Sequence, residues 1–276
     1  MKAVILGIVL VSLGSCSTHS QDHQDVVQET TLDNKQTIQT RFDPPTGYQR
    51  LNIDSNSFQY FLRTFPLKSP GSHVYYFNGQ KKSRKVHAAV LNIDTEKRDL
   101  QQCADAVMRL RGEYLFAQKA YNQLHFNFTN GFNCSYEKWQ QGFRPKVSGN
   151  QVSWVKAAEP NSDYASFRKY MDMVFAYAGT HSLEKELQSV ELKEIKIGDV
   201  FIQGGFPGHA VLVVDVAEND TGEKAFLLAQ SYMPAQDIHV LKKPLSQSPW
   251  YFTADINNKL VTPEWVFNAS DLKRFP

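Results

Sequence analysis

Ile197-Gly198-Asp199-Val200-Phe201-Ile202, Gly204-Gly205-Phe206-Pro207-Gly208 and His209-Ala210-Val211-Leu212-Val213-Val214-Asp215-Val216 follow one another with only Gln203 intervening. Two apolar, β-branched runs flanking a glycine- and proline-rich turn predict adjacent antiparallel strands. After a loop from Ala217 to Lys224, Ala225-Phe226-Leu227-Leu228-Ala229-Gln230-Ser231-Tyr232 supplies a third. His209 therefore heads a buried strand, where its ring can face a site while the strand behind it is locked in the core. If the second hairpin is symmetric about residues 220 and 221, paired residues have numbers that sum to 441. Tyr232 then lies opposite His209, and Gln230 lies one diagonal step away on the same face. A register change of one residue would bring up Ser231 or Ala229 instead. Asp215 has the parity of His209 and is expected on its face, but six residues of strand put it roughly 20 Å away.

Upstream of this meander, Leu100, Cys103, Ala104, Val107, Leu110 and Tyr114 recur at helical spacing, with Asp99 as the expected N-cap and Gln102 three residues on. Before that helix, Val74-Tyr75-Tyr76-Phe77, Asn78-Gly79 and Ala88-Ala89-Val90-Leu91-Asn92-Ile93 read as a hairpin. The basic run Lys81-Lys82-Ser83-Arg84-Lys85 between its arms reads as a solvated strand end. Residues from about 122 to 160 alternate aromatic and polar side chains, including Trp139, Phe143 and Trp154, and read as strands and loops. A second helix is expected over about Asp163 to Ala178, ending at Gly179, with Ser182 capping a short third. A cysteine-bearing helix, an insertion and an antiparallel meander make an α+β fold.

A thiol becomes a useful nucleophile when its pKa is lowered and a base stands beside it, and a helix N-terminus supplies part of the first condition. Cys103 is placed for that. Triads assemble in space rather than in sequence, so His209 is the candidate base and Gln230 the residue that orients it. Glutamine can fix the tautomer of a histidine through its amide oxygen, but it carries no charge to stabilise an imidazolium. The backbone N–H of Cys103 is the first candidate oxyanion donor and Gln102 a weaker second. Each residue also has a structural reading: a cysteine on an apolar stripe is usually a small core residue, and a histidine beside a turn is usually hydrogen-bonded for structure. Cys134 ranks second as nucleophile, because it follows a Thr-Asn-Gly turn and lacks a long helix behind it. A Cys103–Cys134 disulfide is the remaining alternative for both cysteines.

Gln102-Cys103-Ala104 opening a helix, Ile197-Gly198-Asp199-Val200 leading to Gly208-His209-Ala210-Val211-Leu212-Val213, and a polar residue ending the next strand resemble the papain-like amidases of the CHAP and NlpC/P60 type. That resemblance implies a cysteine-bearing helix packed on an antiparallel sheet and cleavage of peptidoglycan amide bonds, with Cys103, His209 and Gln230 as the catalytic set. The interval of 106 residues between Cys103 and His209 is long for those compact domains and makes the aromatic section an insertion. The segments Gln101 to Leu110 and Leu228 to Gln236 are also similar to a family of bacterial cell-envelope lipoproteins catalogued as a domain of unknown function.

At the N-terminus, Met1-Lys2 and the apolar run Ala3 to Leu13 read as a secretory signal, too short to span a bilayer. Leu13-Gly14-Ser15-Cys16 resembles a lipobox, which implies removal of residues 1–15 and a lipid on Cys16. Residues 16–46 are polar and read as a flexible tether, followed by a single domain over 47–276. The expected partners are a membrane through that lipid and peptidoglycan beside it, with the cell envelope, at the outer membrane, as the location. A net charge of +2 and a pI of 8.3 are too mild to argue for nucleic acid. No His-Glu-x-x-His, paired Cys-x-x-Cys or phosphate-binding glycine loop occurs, so no metal or cofactor is expected. Two functions remain: an amidase or endopeptidase, and an inactive envelope protein binding glycan or peptide through an aromatic groove at Trp139, Phe143 and Trp154.

Overall fold

Residues 36–276 are described by the structure, a computed structural model. The expected signal peptide, the expected lipid site at Cys16 and most of the expected tether lie outside the described residues. Folded structure begins before residue 47, in the stretch read as tether. Helix α1 (Ile38–Arg41) opens with a capping box between Thr37 and Thr40, and Ile38 is fully buried in the core. Phe42 packs against the same core, and backbone bonds from Ile38 to Phe65 and from Leu67 to Gln36 hold the segment in place.

Strand β1 (Tyr48–Gln49), helix α2 (Phe58–Arg63), strand β2 (His87–Val90) and helix α3 (Cys103–Ala117) follow. The Asn78-Gly79 turn forms, but its arms meet only at the isolated Tyr75–Lys81 bridge. Strand β2 joins the main sheet instead. Next, β3 (His125–Asn127), β4 (Asn133–Ser135), α4 (Tyr136–Gln140), β5 (Phe143–Ser148) and β6 (Gln151–Lys156) build the inserted section as two small hairpins around a helix. Phe126, Phe128, Tyr136 and Trp139 join the common hydrophobic core, so the insertion is part of the domain's interior.

Helices α5 (Tyr164–Tyr177) and α6 (Thr180–Glu186) come next. Asp163 caps α5 through the Ser166 N–H. The third helix starts before Ser182: its N-cap is Gly179, whose N–H donates to the Ser182 hydroxyl. Strands β7 (Gln188–Ser189), β8 (Val200–Gln203), β9 (His209–Asn219), β10 (Lys224–Gln230), β11 (His239–Leu241) and β12 (Tyr251–Phe252) follow, then the hairpin β13 (Lys259–Val261) with β14 (Val266–Asn268), and finally β15 (Leu272–Arg274). The main sheet runs β2-β11-β10-β9-β8-β15-β7, with β1 on β9 and β12 on β10, and every pairing is antiparallel. The protein is therefore α+β, with a large antiparallel sheet and few helices.

The ladder between β9 and β10 carries one irregularity that decides the site. Leu227 pairs with Asp215 but Leu228 pairs with Val213, so Val214 is the extra residue of a β-bulge. The turn is one residue longer than the symmetric form: Asn219 N–H bonds the Glu223 carbonyl, and Gly222 takes φ +82°, as three-residue hairpins require. The bulge absorbs that extra residue. Beyond it the pairs sum to 441, as the sequence predicts. Continued one step, this register sets Gln230 opposite Val211 on the face of His209. Asp215 lies beyond the bulge and falls with Leu227 on the other face, not on the face of His209 that its parity predicts, because the bulge inserts one residue between them.

Candidate functional site

Cys103 is the first residue of α3. The cap is Gln102 rather than Asp99, so the helix starts three residues later than expected. In the first turn Asp105 accepts the Gln102 N–H at 3.0 Å, while Asp99 accepts the Gln102 side-chain amide at 2.9 Å and the Ala235 N–H at 2.7 Å. These bonds tie the helix start to the chain just after β10. His209 is held from the other side. A Cβ on Gly208 would stand 2.4 Å from the Thr180 hydroxyl and 2.8 Å from the Gln203 carbonyl. Only glycine therefore lets the turn press against α6 immediately before the histidine.

Cys103 and His209 line one cleft of about 370 Å³ together with Asp99, Gln102, Asp105, Phe206, Tyr232, Met233 and Trp265. The His209 ring is buried between Tyr232, at 4.7 Å between centroids, and Trp265, at 5.3 Å. The cleft mouth carries Phe206, almost wholly exposed, and Met233, more than half exposed. The thiol is half-buried and takes backbone N–H contacts from Ala104, Ala210 and its own residue. Ala210 directly follows His209.

A chain of polar groups backs the imidazole. His209 Nε2 lies 2.9 Å from Gln230 Oε1, Gln230 Nε2 lies 2.7 Å from Glu264 Oε2, and Lys82 Nζ sits 2.8 and 2.9 Å from the two oxygens of Glu264. Lys82 also bonds Gln236 Oε1 at 2.9 Å. A carboxylate only accepts, so the Gln230 atom facing Glu264 is the NH₂ and the atom facing His209 is the carbonyl. His209 Nε2 must then carry the proton, leaving Nδ1 bare in the neutral ring. His239 agrees: its Nδ1 donates to the Asp237 carbonyl at 2.8 Å, so its Nε2, 3.4 Å from Gln230 Nε2, can accept.

Burial pushes the Cys103 thiol up to about 11, with Asp105 adding to the rise, against the pull of the backbone N–H groups. Burial likewise lowers His209 to about 4, opposed by the bond to Gln230 and the charge of Glu264. At neutral pH the pair therefore rests as thiol and neutral imidazole. Asp105 is raised well above the usual carboxylate range by desolvation, and its second oxygen has no partner.

The structure thus brings Cys103, His209, Gln230 and Gln102 into one neighbourhood, with Gln102 committing one amide hydrogen to Asp99. Cys134 is fully buried in β4, and both Cys103 and Cys134 are free thiols. Of the three rings expected in an aromatic groove, one is buried. Trp139 is buried and donates to Ser166, Trp154 packs on Phe132, and Phe143 lies beside Lys138 and Lys156 on the hairpin. Trp139 belongs to the core and Trp154 packs against it, whereas Phe143 is partly exposed on the β5–β6 hairpin. Lys82 departs from the solvated reading of its run: it is buried, whereas Lys81, Ser83, Arg84 and Lys85 are exposed. Glu264 and Trp265, in a loop between two short strands, carry no periodic signal. Among the described residues no group of three or more histidine, cysteine, aspartate or glutamate side chains could hold a metal ion. No helix there is long and apolar enough to cross a membrane.

The sequence matches the family described as Domain of unknown function (4846) over residues 38–274, nearly all of the described chain, and the protein belongs to that family. No curated protein and no solved structure matches it.

Proposed function

We propose that this is a lipid-anchored envelope protein with a papain-like cysteine amidase site acting on cell-wall peptides. The observation that carries the reading is the His209–Gln230 pair, which engages Nε2 and leaves Nδ1 bare in a ring that lines the same cleft as Cys103 at its helix start. Two neutral groups work through general-base attack. As Sγ bonds to the amide carbonyl carbon, the thiol proton passes to His209 Nδ1 and the carbonyl electron pair moves onto oxygen, near the Cys103 N–H. Collapse of that oxyanion breaks the C–N bond, and the imidazolium returns its proton to the departing amine. Water, deprotonated by the same ring, then hydrolyses the thioester and restores the thiol.

The envelope setting rests on the likeness of residues 1–16 to a lipoprotein signal, and it is what selects cell-wall peptide as substrate. The test is digestion of purified muropeptides by the full chain in detergent, with new amine termini expected and abolished in Cys103→Ala. Cleavage absent in the native protein, or equal in the variant, sinks the reading. The raised thiol favours a second reading, an inactive binding protein on the same scaffold. A Cys103 that alkylates slowly at pH 7 in a protein that retains muropeptides without cutting them would establish that reading.

A further inference from the structure

We infer that Glu264, held in place by Lys82, is a positioning residue that acts through the Gln230 amide to fix the tautomer of His209. The inference deepens the amidase reading and rests on it for its catalytic meaning, but its geometry stands alone.

A glutamine beside histidine has two amide orientations that nothing intrinsic distinguishes, and only one offers its carbonyl to Nε2. Glu264 Oε2, 2.7 Å from Gln230 Nε2, selects that orientation because a carboxylate cannot face the carbonyl oxygen. The same contact supplies what glutamine lacks, a negative charge one residue removed from the ring. Lys82 limits that charge and holds the carboxylate by two contacts, with its own third bond to Gln236. Lys82 and Glu264 are both almost fully enclosed, with side chains 4% and 9% exposed, so solvent screens the arrangement weakly. Two residues from opposite ends of the domain, 182 positions apart, thus converge behind a ring that neither touches. Such a pair has no need to be near the cleft for fold stability alone. The titratable and charged groups around His209 are Glu264, Lys82 and His239 behind the ring, Tyr232 against it, and Cys103, Asp99 and Asp105 across the shared cleft. Of these, Glu264 is the one whose charge pulls a proton onto the ring, and Lys82 opposes it.

The experiment is nuclear magnetic resonance of the full chain with ¹⁵N-labelled histidine, read across pH in the native protein and in Glu264→Gln. The native protein should show His209 at pH 7 as the neutral Nε2–H tautomer. In the variant the Gln230 amide loses its bias, so the Nδ1–H tautomer should appear, and the titration midpoint should fall by about half a pH unit or more. An unmixed Nε2–H tautomer in Glu264→Gln overturns the proposal, whatever the midpoint does. Should the variant fail to fold, the native spectrum still decides: a neutral Nδ1–H ring at His209 is incompatible with the chain of bonds. Failure of muropeptide cleavage would refute the amidase reading and leave this result untouched.

Discussion

Strand β9 carries a buried polar assembly at each end, and the two are built in opposite ways. At the turn end, Asp215 is clamped by Arg50 at 2.7 Å and Arg63 at 2.9 Å, and Arg63 also donates to the Leu51 and Val216 carbonyls. Both carboxylate oxygens there are met from inside the protein, and two cations bind the N-terminal segment and α2 to the sheet. At the other end, the His209 ring has a hydrogen-bond partner on one nitrogen only, and it lines the cleft that Cys103 also lines. A closed set of valences is a fastening; an open one is a place where something else can bind.

The largest expected effect breaks the closed end. Asp215→Ala leaves two buried guanidinium groups without their anion and should cost on the order of 3–5 kcal/mol, seen as a shifted denaturant midpoint. A loss below about 1 kcal/mol would show that the clamp is ornamental.

Next in size is the response of the open end to acid. His209 and His239 are lowered to about 4 and about 3 by burial, against 6.5 in an unfolded chain. Between those values the unfolded chain binds more protons, so their stabilising contribution is whole above pH 6.5 and is lost as pH falls. For His209 the loss by pH 4 is about 3 kcal/mol. Asp215 cannot produce this slope, because burial raises its carboxyl and its titration therefore favours the folded state on acidification. Unfolding measured from pH 7 to pH 4 should show the decline, and His209→Gln should flatten it. Equal slopes in the two proteins would move the acid sensitivity elsewhere.

The smallest expected effect sharpens the contrast. Cys103 is a small, half-buried side chain with only backbone partners, so Cys103→Ala should change stability by less than about 1 kcal/mol. In the folded native protein Cys103 should react with iodoacetamide before the fully buried Cys134, with a rate that climbs towards pH 11. Earlier labelling of Cys134 would mean that the open end is not open.

The parts of this arrangement legible in the sequence were those with local grammar. Continuous apolar runs around Gly204–Gly208 mark the strands that place His209, and the spacing of Leu100, Cys103, Ala104 and Val107 marks the helix that places the thiol. Gln230 was reachable by counting along a hairpin. That count was correct because a longer turn and a bulge offset each other, which no pattern of side chains announces. Glu264 was not legible, since a single acidic residue between Pro263 and Trp265 looks like any loop. Lys82 was hidden inside a basic run whose other members are solvated, and its burial follows from a partner 182 residues later. Ile38 was masked by polar neighbours, although tertiary contact alone makes it core.

Val214 gives β9 a single position of slack. The ladder passes over it, so every observed pair from His209 to Ala217 survives its deletion, and both ends keep the faces they now present. Removing any other residue between them would let the ladder close only by moving each residue from the gap to Val214 one place along it, which turns those side chains to the opposite face. Shortening the strand at Val214 is therefore the one excision that should leave both polar groups and every side chain between them on their present faces.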